Sequence, residues 1–206
     1  MARISASLNY LEQDKDSGKY YLGAGALKLS RAVGDRFNFH NVAAKYAKLL
    51  ADETNEIVRI ALPIDRDVYY LDTICPTGDH YSVGNMIAAT DPLHCTSCGK
   101  AMLAYMPESF LEQYFSTPVR SCTPNTITSL DDMRRELAEI RSCGYAIDDE
   151  EAASNVKCVG VPILRSGGTV VGALSISGTP AMFNDERVKE LSGHLKGYVR
   201  MIENII

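Results

Sequence analysis

The sequence predicts an α+β fold, with antiparallel strands and helices packed beside them. Three observations carry that expectation. Residues 156–164 and 169–177 are rich in Val, Ile and Leu and flank Arg165-Ser166-Gly167-Gly168, the pattern of a hairpin. Residues 35–53, 130–142 and 185 onward carry apolar residues at three-and-four spacing, the period of a one-sided helix. Two further strand candidates, 56–62 and 68–75, are joined by a turn at 63–67 led by Pro63.

Residues 8–22 read as a hairpin. Tyr10-Leu11-Glu12-Gln13 and Lys19-Tyr20-Tyr21-Leu22 flank a polar turn at 14–18. Leu27, Leu29 and Ala32 suggest a linker helix over 23–33. Phe39, Val42, Tyr46, Leu49 and Leu50 mark the buried face of the helix at 35–53. A third strand is expected near 80–88. A short helix follows Cys98 and stops before Pro107, and another covers 108–115. The helix at 130–142 has Ser129 and Asp132 as a capping pair and Gly144 as its stop. In the last helix, capped by Asn184, the residues Val188, Leu191, Leu195, Tyr198, Ile202 and Ile205 form a narrow apolar seam. Gly193 and Gly197, four apart, allow a close backbone approach there, read as local packing.

Composition bounds the function. The chain has 206 residues, 46% of them hydrophobic, enough for one large domain or one domain plus an appendage. Its net charge of −5 does not favour nucleic acid, whose phosphates call for clustered Lys and Arg. No secretory signal and no membrane span is read. The six cysteines suit a cytoplasmic, reduced chain, in which Cys is often a small buried hydrophobe.

The densest local signal is the stretch DPLHCTSCGKAMLAYMP at 91–107. A small polar run leads there into the apolar start of a helix. Free N–H groups and a positive dipole at such a start suit a carboxylate or phosphate, although many such starts serve packing alone. Cys95-x-x-Cys98 beside His94 suggests zinc or dithiol chemistry, but a zinc site needs a second ligand pair and none is spaced for it. No nucleophile elbow, phosphate-binding loop, H-E-x-x-H or G-x-G-x-x-G is present, and His40, His80, His94 and His194 are scattered. The reading is a non-enzyme that requires no metal and no cofactor.

Three blocks in one order carry a family resemblance. They are Pro92-Leu93-His94-x-Thr96-x-x-Gly99-Lys100-Ala101-Met102-Leu103-Ala104; then Leu137-x-x-Ile140-Arg141-x-x-Gly144-Tyr145-Ala146-x-Asp148-Asp149-Glu150-Glu151; and Val156-x-Cys158-Val159-Gly160-Val161-Pro162-Ile163 followed by Ala173-Leu174-Ser175-Ile176-Ser177-Gly178. Together they resemble the effector-binding domain of IclR-type bacterial transcriptional regulators over roughly residues 20–206.

That resemblance implies a GAF-like antiparallel sheet with helices on both faces, preceded by a β-hairpin and a linker helix. Residues 1–22 would be the remnant of a winged helix-turn-helix, 23–34 the linker helix and 35–206 the effector-binding domain. The hairpin would be the wing. Only Ala2–Leu8 could belong to a recognition helix, and the DNA-reading helices would need on the order of 40–50 further residues. DNA would then be contacted only through helices missing from this chain, which reads as a regulator cut within its DNA-binding domain or a natural short relative. The effector pocket would be lined by Ser97, Cys98, Gly99, Asp148, Cys158, Ser175 and Ser177. Ser175 and Ser177, two apart on a strand, face the same way. The expected effector is a small carboxylate, although Asp148 beside an anion needs a counter-charge or a proton. Asp149, Glu150 and Glu151 read as a solvated acidic turn, and His80 and Tyr81 as possible lining residues. A homodimer or homotetramer is expected. The rival is a stand-alone GAF-like sensor that uses its cysteines for metal or redox signals.

Overall fold

A computed structural model describes residues 9–27, 38–76 and 90–206. The expected linker helix beyond Leu27, the strand near 80–88, the His80 and Tyr81 contacts and the Ala2–Leu8 segment lie outside these residues. The chain divides into two compact units, residues 1–41 and 42–206.

The first unit holds the N-terminal hairpin, β1 (Leu11–Gln13) and β2 (Tyr20–Leu22), paired antiparallel with Leu11 opposite Leu22. Its turn is built by one carboxylate. Asp14 Oδ1 accepts from the Ser17 N–H at 2.7 Å, the Ser17 hydroxyl at 2.8 Å and the Asp16 N–H at 3.1 Å. Gly18 closes the turn at φ 68°, a conformation that a Cβ disfavours.

The helix α1 (Asn38–Thr54) leads into the second unit. There β3 (Ile57–Ile64), β4 (Asp67–Ile74), β5 (Thr90–Pro92), β6 (Ala146–Asp149), β7 (Lys157–Leu164) and β8 (Val170–Gly178) form one antiparallel sheet in the order β5-β4-β3-β8-β7-β6. The turn after β3 is tighter than 63–67. Pro63 is itself paired with Val68, and only Asp65 and Arg66 lie between the strands. A proline is tolerated here because β3 pairs with β8 only as far as Ala61, so no ladder bond on that side is lost.

Helices cover both faces. On one lie α2 (Ser97–Leu103), α3 (Glu108–Phe115) and α4 (Leu130–Cys143), with a core of Tyr70, Cys98, Met102, Leu111, Met133 and Leu137. On the other, α5 (Asp185–Glu203) packs on β7 and β8, and α1 runs along it. Tyr198 Oη donates to Glu53 at 2.5 Å, and Arg187 bonds the Thr54 carbonyl at 3.0 Å. The caps expected from sequence are in place. The oxygens of Ser129 and Asn184 accept from the N–H groups of Asp132 and Arg187, and Gly144 ends α4 at φ 77°.

The seam of α5 differs from expectation. Its buried apolar side chains are Val188, Leu191, Leu195, Val199 and Ile202. A step of four from Leu195 keeps Val199 on the sheet-facing stripe, while Tyr198 rotates toward Glu53. Ile205 lies past the last turn and is exposed. Among the described residues, a Cβ built on Gly193 or Gly197 meets nothing within 4 Å, so neither glycine is needed for close packing there.

Candidate functional site

The α2 region is held by two glycines that leave no room for a side chain. A Cβ on Gly99 would lie 2.0 Å from the Leu93 carbonyl oxygen. A Cβ on Gly160 in β7 would lie 2.6 Å from the Ser97 backbone. Thr96 caps the helix, its Oγ1 accepting from the Gly99 N–H at 3.0 Å, while the Thr96 carbonyl accepts from the Lys100 N–H at 2.9 Å. The Gly99 N–H is therefore spent on the cap, and the Lys100 bond is the first of the helix itself. The side chains of Thr96 and Ser97 stand at this helix start.

Those two side chains border a cavity of about 220 Å³. Arg59 of β3, Tyr70 of β4, Cys158 of β7 and Ser175 and Ser177 of β8 contribute from the sheet, and Asp91 from β5. Asp148 of β6 and Ala152, Ala153 and Val156 of the segment between β6 and β7 close it. The register accounts for the grouping. Arg59 is opposite Ser175 and Cys158 is opposite Ser177, so these side chains share a face.

Five of the seven residues expected at a site line this cavity: Ser97, Asp148, Cys158, Ser175 and Ser177. Cys98 does not line it. Its thiol is buried beneath, bonded to Ser175, and burial pushes it up to about 11. Gly99 does not line it either, being fixed against Leu93. The Cys158 thiol donates to Ser177 Oγ at 3.2 Å, and burial pushes its pKa up to about 12. Both thiols are held neutral, in the role of small packing groups.

Arg59 is the cavity residue that the sequence reading missed. Its guanidinium sits 5.0 Å from the centroid of the Tyr70 ring, a cation–π arrangement. The signal was present: Arg59 interrupts the apolar run Ile57-Val58-x-Ile60-Ala61-Leu62. A charge within such a strand is expensive unless it is paired or used. Arg59 places a cation among the residues that line the cavity.

Asp148 is 2% exposed. Its Oδ1 accepts from the backbone N–H of Glu151 at 2.8 Å and of Ala152 at 3.2 Å. Burial nonetheless raises its pKa to about 6, the two N–H bonds offsetting only part of the desolvation.

The acidic turn is not uniformly solvated. Asp149 is exposed, but Glu151 is 6% exposed and pairs with Lys100, itself 1% exposed, whose ammonium also bonds Glu136 at 2.7 Å. The carbonyls of Glu150 and Glu151 are also taken, by the hydroxyls of Thr123 at 2.6 Å and Thr126 at 2.7 Å. Burial works against the Lys100 cation, yet the two carboxylates outweigh it and raise its pKa. Burial raises Glu151 to about 7, against the pull of Lys100. An open groove of about 540 Å³ runs along this cluster between α4 and β6. It is larger than the cavity, but its cation, Lys100, is already engaged by Glu136 and Glu151, and Glu139 and Asp149 add further negative charge along it.

The pair Cys95 and Cys98 does not form one site. Cys95 faces Cys122, and Cys98 faces Ser175. His94 is committed elsewhere: Nδ1 lies 2.8 Å from Tyr114 Oη and Nε2 lies 2.8 Å from the Arg120 carbonyl, with burial lowering its pKa. Among the described residues, no three His, Cys, Asp or Glu side chains gather as metal ligands, and no helix is long and apolar enough to cross a membrane.

Comparison with known proteins agrees with this architecture. Residues 31–204 match the family described as Bacterial transcriptional regulator IclR C-terminal. The chain is 27% identical over 191 residues to the HTH-type transcriptional repressor AllR of Klebsiella pneumoniae, covering 91% of this chain and 69% of that protein. It is 27% identical over 201 residues to the DNA-binding transcriptional repressor YiaJ of Escherichia coli, covering 96% of this chain and 71% of that one. The crystal structure of the Thermotoga maritima IclR superposes with a TM-score of 0.78 at 30% identity, covering 98% of this chain and 82% of that chain.

Proposed function

As the chain belongs to the IclR family of bacterial transcriptional regulators, we propose that its 220 Å³ cavity binds a small organic acid and that occupancy controls DNA binding by the intact regulator. One observation carries the ligand class: the Arg59 guanidinium shares the cavity with the hydroxyls of Ser97, Ser175 and Ser177. The cation neutralises a carboxylate, the hydroxyls donate to its oxygens, and Ala152, Ala153 and Val156 contact its carbon skeleton. Asp148 either accepts a hydroxyl of the effector or takes up a proton.

The regulatory step requires the effector to bind one arrangement of the regulator better than another. The cavity walls offer a route, because α2 and the segment between β6 and β7 are separate elements that both border it. This reading places the protein in the cytoplasm, as a homodimer or homotetramer, with DNA reached through a helix-turn-helix outside the described residues.

A thermal-shift screen of small carboxylates, followed by calorimetric titration of the best hit, tests it. Hydrogen bonds to charged groups are worth roughly 1.5–3 kcal/mol, so Ser177→Ala should weaken that hit by roughly 10–100-fold with the fold intact. Equal affinities for wild type, Ser175→Ala and Ser177→Ala would sink the serine assignment. Undiminished binding by Arg59→Met would sink the carboxylate reading.

A further inference from the structure

The close pair of thiols in this protein is not the one adjacent in sequence. Cys95 Sγ lies 3.9 Å from Cys122 Sγ, 27 positions along the chain. We propose that Cys95 and Cys122 are a reversible oxidation site, forming a disulfide with hydrogen peroxide or an organic hydroperoxide. A disulfide bond is about 2.05 Å, so each sulfur has to move by about 0.9 Å, within the range of a side-chain rotation.

The two thiols are suited to different steps. Cys122 is half-buried and within reach of solvent. Cys95 is fully buried, its thiol donating to the Pro92 carbonyl at 3.7 Å, and burial pushes its pKa far above the usual thiol range. Cys122 therefore reacts first. Its thiolate attacks the O–O bond of the peroxide, which breaks, leaving a sulfenic acid on Cys122 and releasing water or an alcohol. The Cys95 sulfur then attacks the Cys122 sulfur. The S–O bond breaks, and the departing hydroxide leaves as water with the Cys95 proton. Two thiols lose two electrons in total, and one peroxide gains them.

The position of the pair gives the bond a consequence. Cys95 immediately precedes Thr96 and Ser97, which border the cavity. Cys122 precedes Thr123, which with Thr126 holds the carbonyls of Glu150 and Glu151. The N–H of Glu151 in turn bonds Asp148. The disulfide ties these two walls together covalently.

The test uses the full chain carrying Cys143→Ser, which removes the exposed thiol. It is treated with one equivalent of hydrogen peroxide, digested without reductant and mapped by mass spectrometry. The expected result is a Cys95–Cys122 linked peptide that dithiothreitol separates. Closing this ring should raise Tm by about 5–10 °C. Cys95→Ser should instead leave a Cys122 sulfenic acid that dimedone traps. A Cys95–Cys98 linkage would overturn the proposal, as would recovery of Cys122 unmodified.

Discussion

Replacing Lys100 by Met should convert a satisfied buried ion cluster into an orphaned buried anion. Lys100 is 1% exposed, and its ammonium holds Glu136 at 2.7 Å and the almost fully buried Glu151. Among the described residues Glu151 Oε2 is buried without a hydrogen-bond partner, so the lysine is what makes its charge tolerable. Methionine matches the lysine stem in bulk, which confines the change to charge. Removing one partner of a buried pair typically destabilises by about 3–5 kcal/mol. For a chain of this size that corresponds to a fall in Tm of roughly 6–20 °C.

The sign with pH follows from Glu151. Its folded pKa of about 7 lies above the ordinary carboxyl value of 4.5, so the folded state binds more protons between those limits. Without Lys100 the value rises further. The loss should therefore be large at pH 8 and much smaller at pH 5, where Glu151 is neutral. Urea unfolding at both pH values measures it, and adding Glu151→Gln to Lys100→Met should restore most of the stability at pH 8. A Lys100→Met variant as stable as wild type at pH 8 would refute the reasoning.

Three further outcomes are expected. If the effector is an anion, its affinity should fall as pH rises through about 6, where Asp148 ionises in the same cavity. About tenfold between pH 5.5 and 7.5 is the expected scale; calorimetry on Asp148→Asn should show a flatter profile, and an unchanged slope would remove Asp148 from the cause. Gly160→Ala places a Cβ 2.6 Å from the Ser97 backbone and should destabilise by about 1–3 kcal/mol or more while weakening the effector; a denaturant midpoint equal to wild type would show that α2 yields freely. Light scattering at tens of micromolar should report a dimer or tetramer, and a monomer would count against the oligomeric reading.

Much of this protein was legible in its sequence wherever the signal was local. The caps Ser129 and Asn184, the stop at Gly144 and the hairpin joining β7 to β8 follow from side chains that bond or bend their own backbone. The shared direction of Ser175 and Ser177 follows from the two-residue period of a strand. Tertiary structure decided what depends on contacts between distant segments. Arg59 reaches the cavity because β3 pairs with β8, a partnership more than 110 positions away in the chain. Gly99 looked like a ligand contact, but it is the one residue that fits against the Leu93 carbonyl. Glu151 looked like part of a solvated turn, yet the fold buries it against Lys100, 51 positions earlier. Cys95 has Cys98 three residues away, but the helix turns Cys98 toward Ser175 and the fold brings Cys122 to Cys95 instead. Local chemistry fixes a residue's conformation; its neighbours, and so its charge state and its access to ligand, are set only when the sheet order brings separate segments together.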